Sequence, residues 1–197
     1  LAGMQPYIFS KQDEEREKKW KMYSSIFSQY VDFYHEGLLK NESYSFVRDY
    51  LKDRSLNKDQ VKKFKIGYVD KKPNFFDKLK NNFNTEDLLE TGLFYFDEKK
   101  KIYVERFKGR LIFPINNISG QPIALGGRII EKSDFLAKYI NSPETSFFKK
   151  GANLYNLDLA RTLSNKLDDI FLVEGYMDVV GLSKNGIENA VANLGTA

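Results

Sequence analysis

The stretch Phe171-Leu-Val-Glu174-Gly-Tyr-Met-Asp178 joins an apolar run to a glutamate, a glycine and a segment with helical spacing. The spacing predicts a strand at Ile170–Val173, a helix near Tyr176–Lys184 and a last strand at Ala190–Leu194. A strand, a helix and a strand in close order form a βαβ unit with parallel strands, because the helix carries the chain back to the same edge. We therefore predict that the C-terminal part of the chain begins an α/β sheet.

Two carboxylates mark one end of this unit. Glu174 follows the predicted strand and Asp178 falls in the first turn of the helix. In a parallel α/β sheet, ligands bind beyond the carboxyl ends of the strands, where two carboxylates can hold Mg²⁺. We expect Gly175 to permit a tight turn and the close approach of a ligand. The same acids could instead stabilise the helix dipole, so a metal site and a structural role both stay open.

The N-terminal half of the chain shows mainly helical spacing. Between Gln12 and Lys40, aromatic residues recur at steps of three and four, which predicts a long helix with one apolar stripe. Cap and turn residues predict further elements: a helix after Asn41, a helix from Asn57, a strand at Ile66–Val69, a helix from Pro73 through Leu79 and a helix from Thr85 to Gly92.

After Gly92 the spacing changes to a period of two, which predicts antiparallel hairpins. Phe113-Pro114 is expected at a strand end or edge, since proline cannot donate to a ladder. We predict an α+β fold, with a mixed helical and antiparallel-strand unit at residues 1–166 and the first βαβ unit of an α/β domain at 167–197. The remaining expected elements are hairpins at 94–104 and 111–130, an irregular region at 131–155 and a helix near 156–166.

The composition excludes several classes of protein. The chain has 197 residues and no cysteine, so a disulfide framework, a thiolate zinc site and cysteine catalysis are excluded within it. No apolar run is long enough to span a membrane, and no secretory signal is present at the start of the sequence. These features lead us to expect a cytoplasmic protein without a membrane partner.

The charges are unevenly distributed. The net charge is only +4, but residues 99–150 carry 11 basic and 4 acidic side chains, while residues 151–197 carry 3 basic and 6 acidic ones. A basic middle beside an acidic end is expected of a protein that binds a polyanion and also has metal-binding acids. A lysine-rich, solvated surface would give the same counts.

Two further motifs lie in the basic region. Lys138-Tyr-Ile-Asn-Ser-Pro-Glu-Thr145 is a polar stretch whose cations could bind phosphate, whose tyrosine could stack on a base, and whose Asn141 and Ser142 could donate hydrogen bonds. Gly126-Gly127-Arg128 could bring backbone close to a ligand and hold a phosphate with the guanidinium. A polar surface loop and a hairpin end are the structural alternatives.

Taken together in this order, the motifs resemble the RNA-polymerase core of bacterial replicative primases of the DnaG type. The resemblance covers nearly the whole chain, with weaker detail before residue 45. It rests on the segments Tyr50–Leu56, Phe64–Tyr68, Arg106–Ile115, Gly126–Arg128, Lys138–Thr145, Lys150-Gly151, Leu154-Tyr155, Glu174–Asp178 and Leu194–Ala197.

The resemblance implies a basic α+β subdomain followed by the start of a TOPRIM domain, and an enzyme that joins ribonucleoside triphosphates into RNA primers on single-stranded DNA. It implies Mg²⁺ or Mn²⁺ as cofactor, with Glu174 and Asp178 as metal-binding and catalytic acids. It further implies a nucleoid or replisome location. The residues that match the family's template- and nucleotide-binding motifs are Arg54, Arg106, Arg110, Arg128, Lys138, Tyr139, Asn141 and Lys150, and we expect the last five to make the contacts.

Some family features are not matched by this sequence. We expect the chain to be a fragment without the family's zinc-binding domain, without the second acidic motif of TOPRIM, which should lie beyond Ala197, and without the helicase-binding C-terminal domain. We therefore expect an incomplete metal site and a chain that primes poorly by itself. The alternatives are a nucleic-acid-binding module without activity, a topoisomerase- or nuclease-like TOPRIM protein, and a helicase–primase relative, although the sequence contains no P-loop motif.

Overall fold

A four-stranded antiparallel sheet backed by one long helix organises the N-terminal part of the protein. A computed structural model describes residues 10–72, 75–131, 133–163 and 169–195. The helices are α1 (Lys11–Lys40), α2 (Ser45–Asp53), α3 (Lys58–Lys63), α4 (Phe76–Leu79), α5 (Thr85–Glu90), α6 (Leu157–Ala160) and α7 (Tyr176–Lys184). The strands are β1 (Gly67–Val69), β2 (Phe94–Asp97), β3 (Ile102–Glu105), β4 (Arg110–Asn116), β5 (Pro122–Ile129), β6 (Tyr139–Asn141), β7 (Phe171–Val173) and β8 (Ala190–Ala192).

The predicted long helix is confirmed as α1. It begins at a capping box in which Ser10 Oγ accepts from the Asp13 N–H at 3.2 Å and Asp13 Oδ2 accepts from the Ser10 N–H at 3.0 Å. Burying one large apolar side chain contributes about 1.5–3 kcal/mol. The stripe that α1 buries against the sheet consists of Tyr23, Ile26, Phe27, Tyr30, Val31, Tyr34 and Leu38.

The four-stranded sheet has the order β1-β4-β5-β6. Strand β1 pairs only with residues 110–112 of β4, so Pro114 has a partner strand on one side alone, in agreement with its predicted edge-like position. Strand β6 lies inside the region predicted to be irregular. Its three residues are ordered by pairing with β5, a contact distant in sequence that leaves no periodic signal in a polar segment.

The predicted hairpins and the βαβ unit are present. Strands β2 and β3 form one hairpin, and β4 and β5 form another. Strands β7 and β8, which precede and follow α7 in the sequence, pair with each other in parallel. Tyr155 forms an antiparallel bridge with Ala192, so the chain before the predicted domain boundary also pairs with this sheet. The boundary itself, between residues 166 and 167, lies outside the described residues, as does Pro73.

Helix α6 is shorter than the helix predicted near 156–166, of which residues 164–166 lie outside the described residues. It begins after Asn156, whose φ of 68° is left-handed, and it gives way to a 3₁₀ turn at Arg161–Leu163. None of the helices in the described ranges is long and apolar enough to cross a membrane.

One carboxylate is buried within the core beneath α1. Glu105 of β3 is only 1% exposed and accepts hydrogen bonds from the Tyr30 hydroxyl at 3.0 Å, from the Tyr34 hydroxyl at 2.5 Å and from the Phe75 N–H. Burial raises the pKa of Glu105 above its usual value, and the three hydrogen bonds oppose that rise. The cluster therefore ties α1 to β3 through buried hydrogen bonds.

Candidate functional site

A cleft of about 480 Å³ lies between the basic sheet and the start of the βαβ unit. We call it the cleft throughout. It brings together residues from α2, β5, β6, the end of β7 and α7, which the sequence separates by more than a hundred positions. Seven of the ten predicted site residues line it, namely Arg54, Arg128, Lys138, Tyr139, Asn141, Glu174 and Asp178.

Arg128 lies at the centre of the basic side of the cleft. Its side chain is held in place because its Nη1 donates to the Tyr139 hydroxyl at 2.6 Å and its guanidinium carbon lies 5.3 Å from the Tyr139 ring and 5.7 Å from the Tyr50 ring. The residue is 4% exposed, and its Nε is buried without a hydrogen-bond partner in the described structure. A buried donor without a partner is unusual in folded proteins, so the Arg128 side chain keeps hydrogen-bonding capacity that the described part of the protein leaves unused.

Tyr50 is a site residue that the sequence-based prediction did not single out. It lies on α2, one turn before Arg54, whose guanidinium carbon is 4.9 Å from the Tyr50 ring. Tyr50 thus contacts two arginines, one that directly follows its own helix and one from β5. The four-residue spacing of Tyr50 and Arg54 was a usable signal, because residues at that spacing share a helix face.

Tyr139 is the first residue of β6, and Lys138 immediately precedes it. Tyr139 is 38% exposed. Burial raises the pKa of the Tyr139 hydroxyl, although the positive charge of Arg128 partly opposes the rise, so the group stays neutral at pH 7. Its oxygen accepts from Arg128, which leaves its hydrogen available to a ligand. The exposed Lys138 has its Nζ 6.0 Å from the Tyr139 ring centroid.

The paired glycines of β5 make room for aromatic rings. A Cβ at Gly126 would lie 2.3 Å from Tyr176 Cζ, and a Cβ at Gly127 would lie 2.5 Å from Phe107 Cδ1. The glycines lie inside β5 rather than at its end, and the groups that approach them are the protein's own side chains. Tyr176 is thereby held beside the cleft, another position that was not predicted as a site residue.

Asn141 links the two parts of the chain. Its side-chain oxygen accepts from the Tyr176 hydroxyl and its amide nitrogen donates to the Leu194 carbonyl. Burial raises the pKa of the Tyr176 hydroxyl, which therefore stays protonated. Both ends of the amide are thus used in joining β6 to α7 and to the segment after β8. Asn141 lines the cleft, but its placement makes it chiefly a positioning residue.

The two acids lie where the sequence predicted them. Glu174 is exposed just beyond β7, and Asp178 lies in the first turn of α7, where its Oδ2 accepts from the Gly175 N–H at 3.0 Å. Gly175 itself has an extended backbone with φ −153°, so the turn does not require glycine, contrary to our expectation. A Cβ there would meet Asp178 Oδ2 at 3.6 Å, an ordinary contact.

The donor set of these acids suits a hard divalent cation. Both offer carboxylate oxygens, and Mg²⁺ in proteins is typically held by one or two carboxylates with waters or substrate phosphates as the other ligands. Within the described residues, no group of three or more His, Cys, Asp or Glu side chains is gathered closely enough to hold a metal by itself. Glu174 and Asp178 therefore have the ligand chemistry that such a cation needs.

The other three predicted site residues do not line the cleft. The Arg106 Nε donates to the Gly92 carbonyl at 2.7 Å, and the Lys150 N–H donates to Glu144 Oε1 at 3.0 Å. Arg110 is 5% exposed, its pKa is lowered by burial, and its Nη1 donates to the Lys138 carbonyl at 3.3 Å, so it supports a cleft residue from behind. Ser142 is also buried, where its Oγ accepts from the Leu125 N–H, and it faces no ligand.

Comparison with known sequence families agrees with the fold. Residues 168–197 match the Toprim domain, which places the chain in the class of TOPRIM-containing proteins. Residues 33–161 match the family described as DNA primase catalytic core, N-terminal domain. The chain belongs to this DNA primase family, in agreement with the resemblance seen in its motifs.

Curated relatives are longer than this chain. It is 38% identical over 192 residues to a DNA primase of Clostridium acetobutylicum, with 96% of this chain and 31% of the relative covered. It is 37% identical over 186 residues to a DNA primase of Legionella pneumophila, with 93% of this chain and again 31% of the relative covered. The chain thus spans about a third of the length of these relatives.

Solved structures show the same architecture. A DNA primase domain from Pseudomonas aeruginosa superposes with a TM-score of 0.81 at 37% identity, covering 89% of this chain and 55% of that one. A DnaG primase catalytic domain bound to single-stranded DNA also gives a TM-score of 0.81, at 32% identity, covering 92% of this chain and 56% of that one. The mixed α+β fold is therefore confirmed as that of the DnaG catalytic core.

Proposed function

We propose that this chain is the template- and nucleotide-binding part of a DNA primase, an enzyme that joins ribonucleoside triphosphates into RNA primers on single-stranded DNA. The observation that carries the proposal is the cleft, which is lined by cations and Tyr139 of the basic unit together with Glu174 and Asp178. The binding of single-stranded DNA by a similar DnaG catalytic domain supports the choice of template. Because the chain spans about a third of its relatives, primer synthesis is proposed for the whole protein.

Within the cleft, we assign different tasks to the two sides. Arg128, Arg54 and Lys138 bind phosphate groups, since a guanidinium donates two parallel hydrogen bonds and an ammonium acts as a point charge. Tyr139, with its ring partly exposed, offers a surface on which a base stacks.

On the acidic side, Glu174 and Asp178 hold Mg²⁺ or Mn²⁺ together with nucleotide phosphates. When bound, such an ion neutralises charge on the phosphates during nucleotidyl transfer. We further propose that residues 1–166 and 167–197 belong to separate domains of the whole protein, and that a replicative helicase contacts a part of it outside this chain.

The first test is the binding of labelled single-stranded DNA, followed by fluorescence anisotropy over a salt series. We expect affinity to fall steeply with salt, because bound phosphates release counterions. Arg128→Ala and Lys138→Ala should each weaken binding and reduce the salt slope by about 1. Lys99→Ala, which removes an exposed cation of the β2–β3 turn, is the matched control and should change little.

A second assay tests the chemistry in the full-length protein. Glu174→Gln should abolish primer synthesis while leaving DNA affinity in this chain nearly unchanged, because the acids face the nucleotide rather than the template backbone. If the folded chain fails to bind single-stranded DNA at low salt, the assignment of the cleft as the template site is wrong. If the full-length Glu174→Gln variant still makes primers, the assignment of the acid is wrong.

A further inference from the structure

A second concave surface, which we call the lysine-rimmed groove, lies outside the cleft and has no part in the proposed function. Its volume is about 690 Å³, larger than that of the cleft. The groove runs between the end of α1, the helices α2 and α3, and the end of α7. Its floor is formed by the aliphatic side chains of Leu38, Leu39, Leu51, Leu56 and Val61.

The rim of this groove is positively charged. Lys52, Lys58 and Lys184 line it, all three are exposed, and none has an ion pair or a side-chain hydrogen bond with another residue in the described ranges. Nearby Lys63, by contrast, is paired with Glu188. None of the described residues that line the groove carries a carboxylate. Three unpaired cations around an uncharged floor create a positive potential that attracts an acidic ligand.

A fourth cation of the groove has a structural task. Arg48 Nη1 donates to the Leu38 carbonyl at 2.9 Å and to the Asn41 carbonyl at 2.7 Å. It satisfies backbone acceptors where α1 ends, so it is already used within the protein. Carbonyl acceptors do not neutralise the guanidinium, so Arg48 adds to the positive charge of the groove, while the three lysines are its exposed cations.

The chemistry of the floor favours a peptide over a nucleic acid. Proteins that bind single strands stack bases on aromatic rings, and the lining of the groove contains no aromatic residue. The cleft, in contrast, has the rings of Tyr139 and Tyr176 in its lining. An aliphatic floor beside cations matches a segment that carries both apolar and acidic side chains. We infer that the groove is a docking site for an acidic peptide segment of a partner protein, with leucine- or phenylalanine-type side chains on the floor and carboxylates on the lysines.

The groove shares two helices with the cleft but not the side chains that line it. On α2, Leu51 and Lys52 line the groove, whereas Arg54, just after the helix, lines the cleft. On α7, Lys184 lines the groove at one end, whereas Tyr176 lines the cleft at the other. Substitutions at the lysines can therefore test the groove without removing any residue of the cleft.

The experiment measures fluorescence anisotropy of a labelled twelve-residue peptide composed of Asp, Glu, Leu and Phe. The groove variant reverses three charges, Lys52→Glu, Lys58→Glu and Lys184→Glu. The control variant reverses three exposed lysines elsewhere, Lys11→Glu, Lys18→Glu and Lys99→Glu, so that both variants have the same net charge. Circular dichroism verifies that each variant is folded, and a peptide with Ser in place of Leu and Phe tests the contribution of the floor.

We expect the groove variant to bind the acidic peptide at least about tenfold more weakly than the wild type, because like charges then face each other, and the control variant to change by less than about twofold. The Ser-containing peptide should also bind at least about tenfold more weakly, since the apolar contacts are lost. The inference is overturned if the peptide does not bind at low salt or if both variants weaken binding equally. It is also overturned if single-stranded DNA, rather than the peptide, depends on the three groove lysines.

Discussion

Glu105 and Arg128 are both ionisable groups buried among tyrosines, but the protein satisfies the hydrogen bonds of Glu105 more fully than those of Arg128. Glu105 receives three donors from the protein, two of them tyrosine hydroxyls. Arg128 donates to one tyrosine hydroxyl and lies against two rings, but its Nε has no partner within the described part of the chain. The same residue types thus build a closed cluster under α1 and an open one in the cleft.

This difference in hydrogen bonding predicts which of the two residues acts on stability and which acts on binding. A buried polar group whose hydrogen bonds are all made inside the protein holds the fold together, and removing it leaves its partners unsatisfied. A buried charge with an unused donor is instead prepared for an external acceptor. The comparison predicts that substitutions at Glu105 act on unfolding, whereas substitutions around Arg128 act on ligand affinity.

The largest expected effect is that of Glu105→Ala. The substitution leaves the Tyr30 and Tyr34 hydroxyls without their acceptor, at about 1–3 kcal/mol each, so we expect the free energy of unfolding to fall by about 3 kcal/mol. Urea denaturation measures the change, with Glu15→Ala on the exposed side of α1 as the control. A stable variant that no longer binds single-stranded DNA would contradict the comparison.

Arg128→Lys tests whether DNA binding requires the guanidinium group itself or only its positive charge. Lysine keeps the charge but loses the fork of donors and the flat face between Tyr50 and Tyr139, so we expect DNA affinity to fall by about 1.5 kcal/mol, roughly tenfold. Anisotropy measures the affinity and thermal denaturation measures stability. Equal affinity of the variant and the wild type would show that Arg128 acts only as a point charge.

Tyr139→Phe should have a smaller effect. The ring and its stacking surface remain, but the hydroxyl that bonds Arg128 is lost, so we expect about 1 kcal/mol of affinity to be lost. Tyr95→Phe, on the exposed face of the β2–β3 hairpin, is the matched control. If the two variants have the same affinity, the Tyr139 hydroxyl has no part in binding.

The smallest expected effect is the pH dependence of the closed cluster. Burial raises the pKa of Glu105 in the folded state above its usual value of 4.5. The stability that this shift contributes is present in full below the unfolded-state pKa and is lost as the pH rises through the folded-state pKa. The difference in free energy of unfolding between the wild type and Glu105→Gln should therefore shrink as the pH rises above about 4.5. A difference that grows with pH would mean that Glu105 is favoured in its charged form.

The helices and strands whose apolar residues recur at a regular spacing were predictable from the sequence. The stripe of α1, the two hairpins and the βαβ unit each follow from spacing within a short window. Strand β6 was missed because its order depends on pairing with β5 rather than on its own pattern. The helix expected near 156–166 was predicted too long, since α6 becomes a 3₁₀ turn after Ala160.

The site was predictable where residue type alone indicates chemistry. Glu174 and Asp178 follow from the end of a strand, and Arg128 and Lys138 from the family motifs. Tyr50 was missed because it joins Arg128 across the fold, and Asn141 could not be distinguished from a ligand-binding amide without its bonds to Tyr176 and Leu194. Sequence motifs identified the candidates, whereas the structure shows which of them line the cleft.

The packing of Arg128 between two tyrosine rings also has an entropic consequence. A free arginine or lysine side chain loses about 2 kcal/mol of rotational freedom when it is fixed in place. Because the Arg128 side chain is already confined by Tyr50 and Tyr139, most of that freedom is lost during folding and not when a ligand arrives. Exposed Lys138 must lose its freedom on binding. A phosphate should therefore bind Arg128 with a smaller entropic penalty than Lys138, although both carry the same charge.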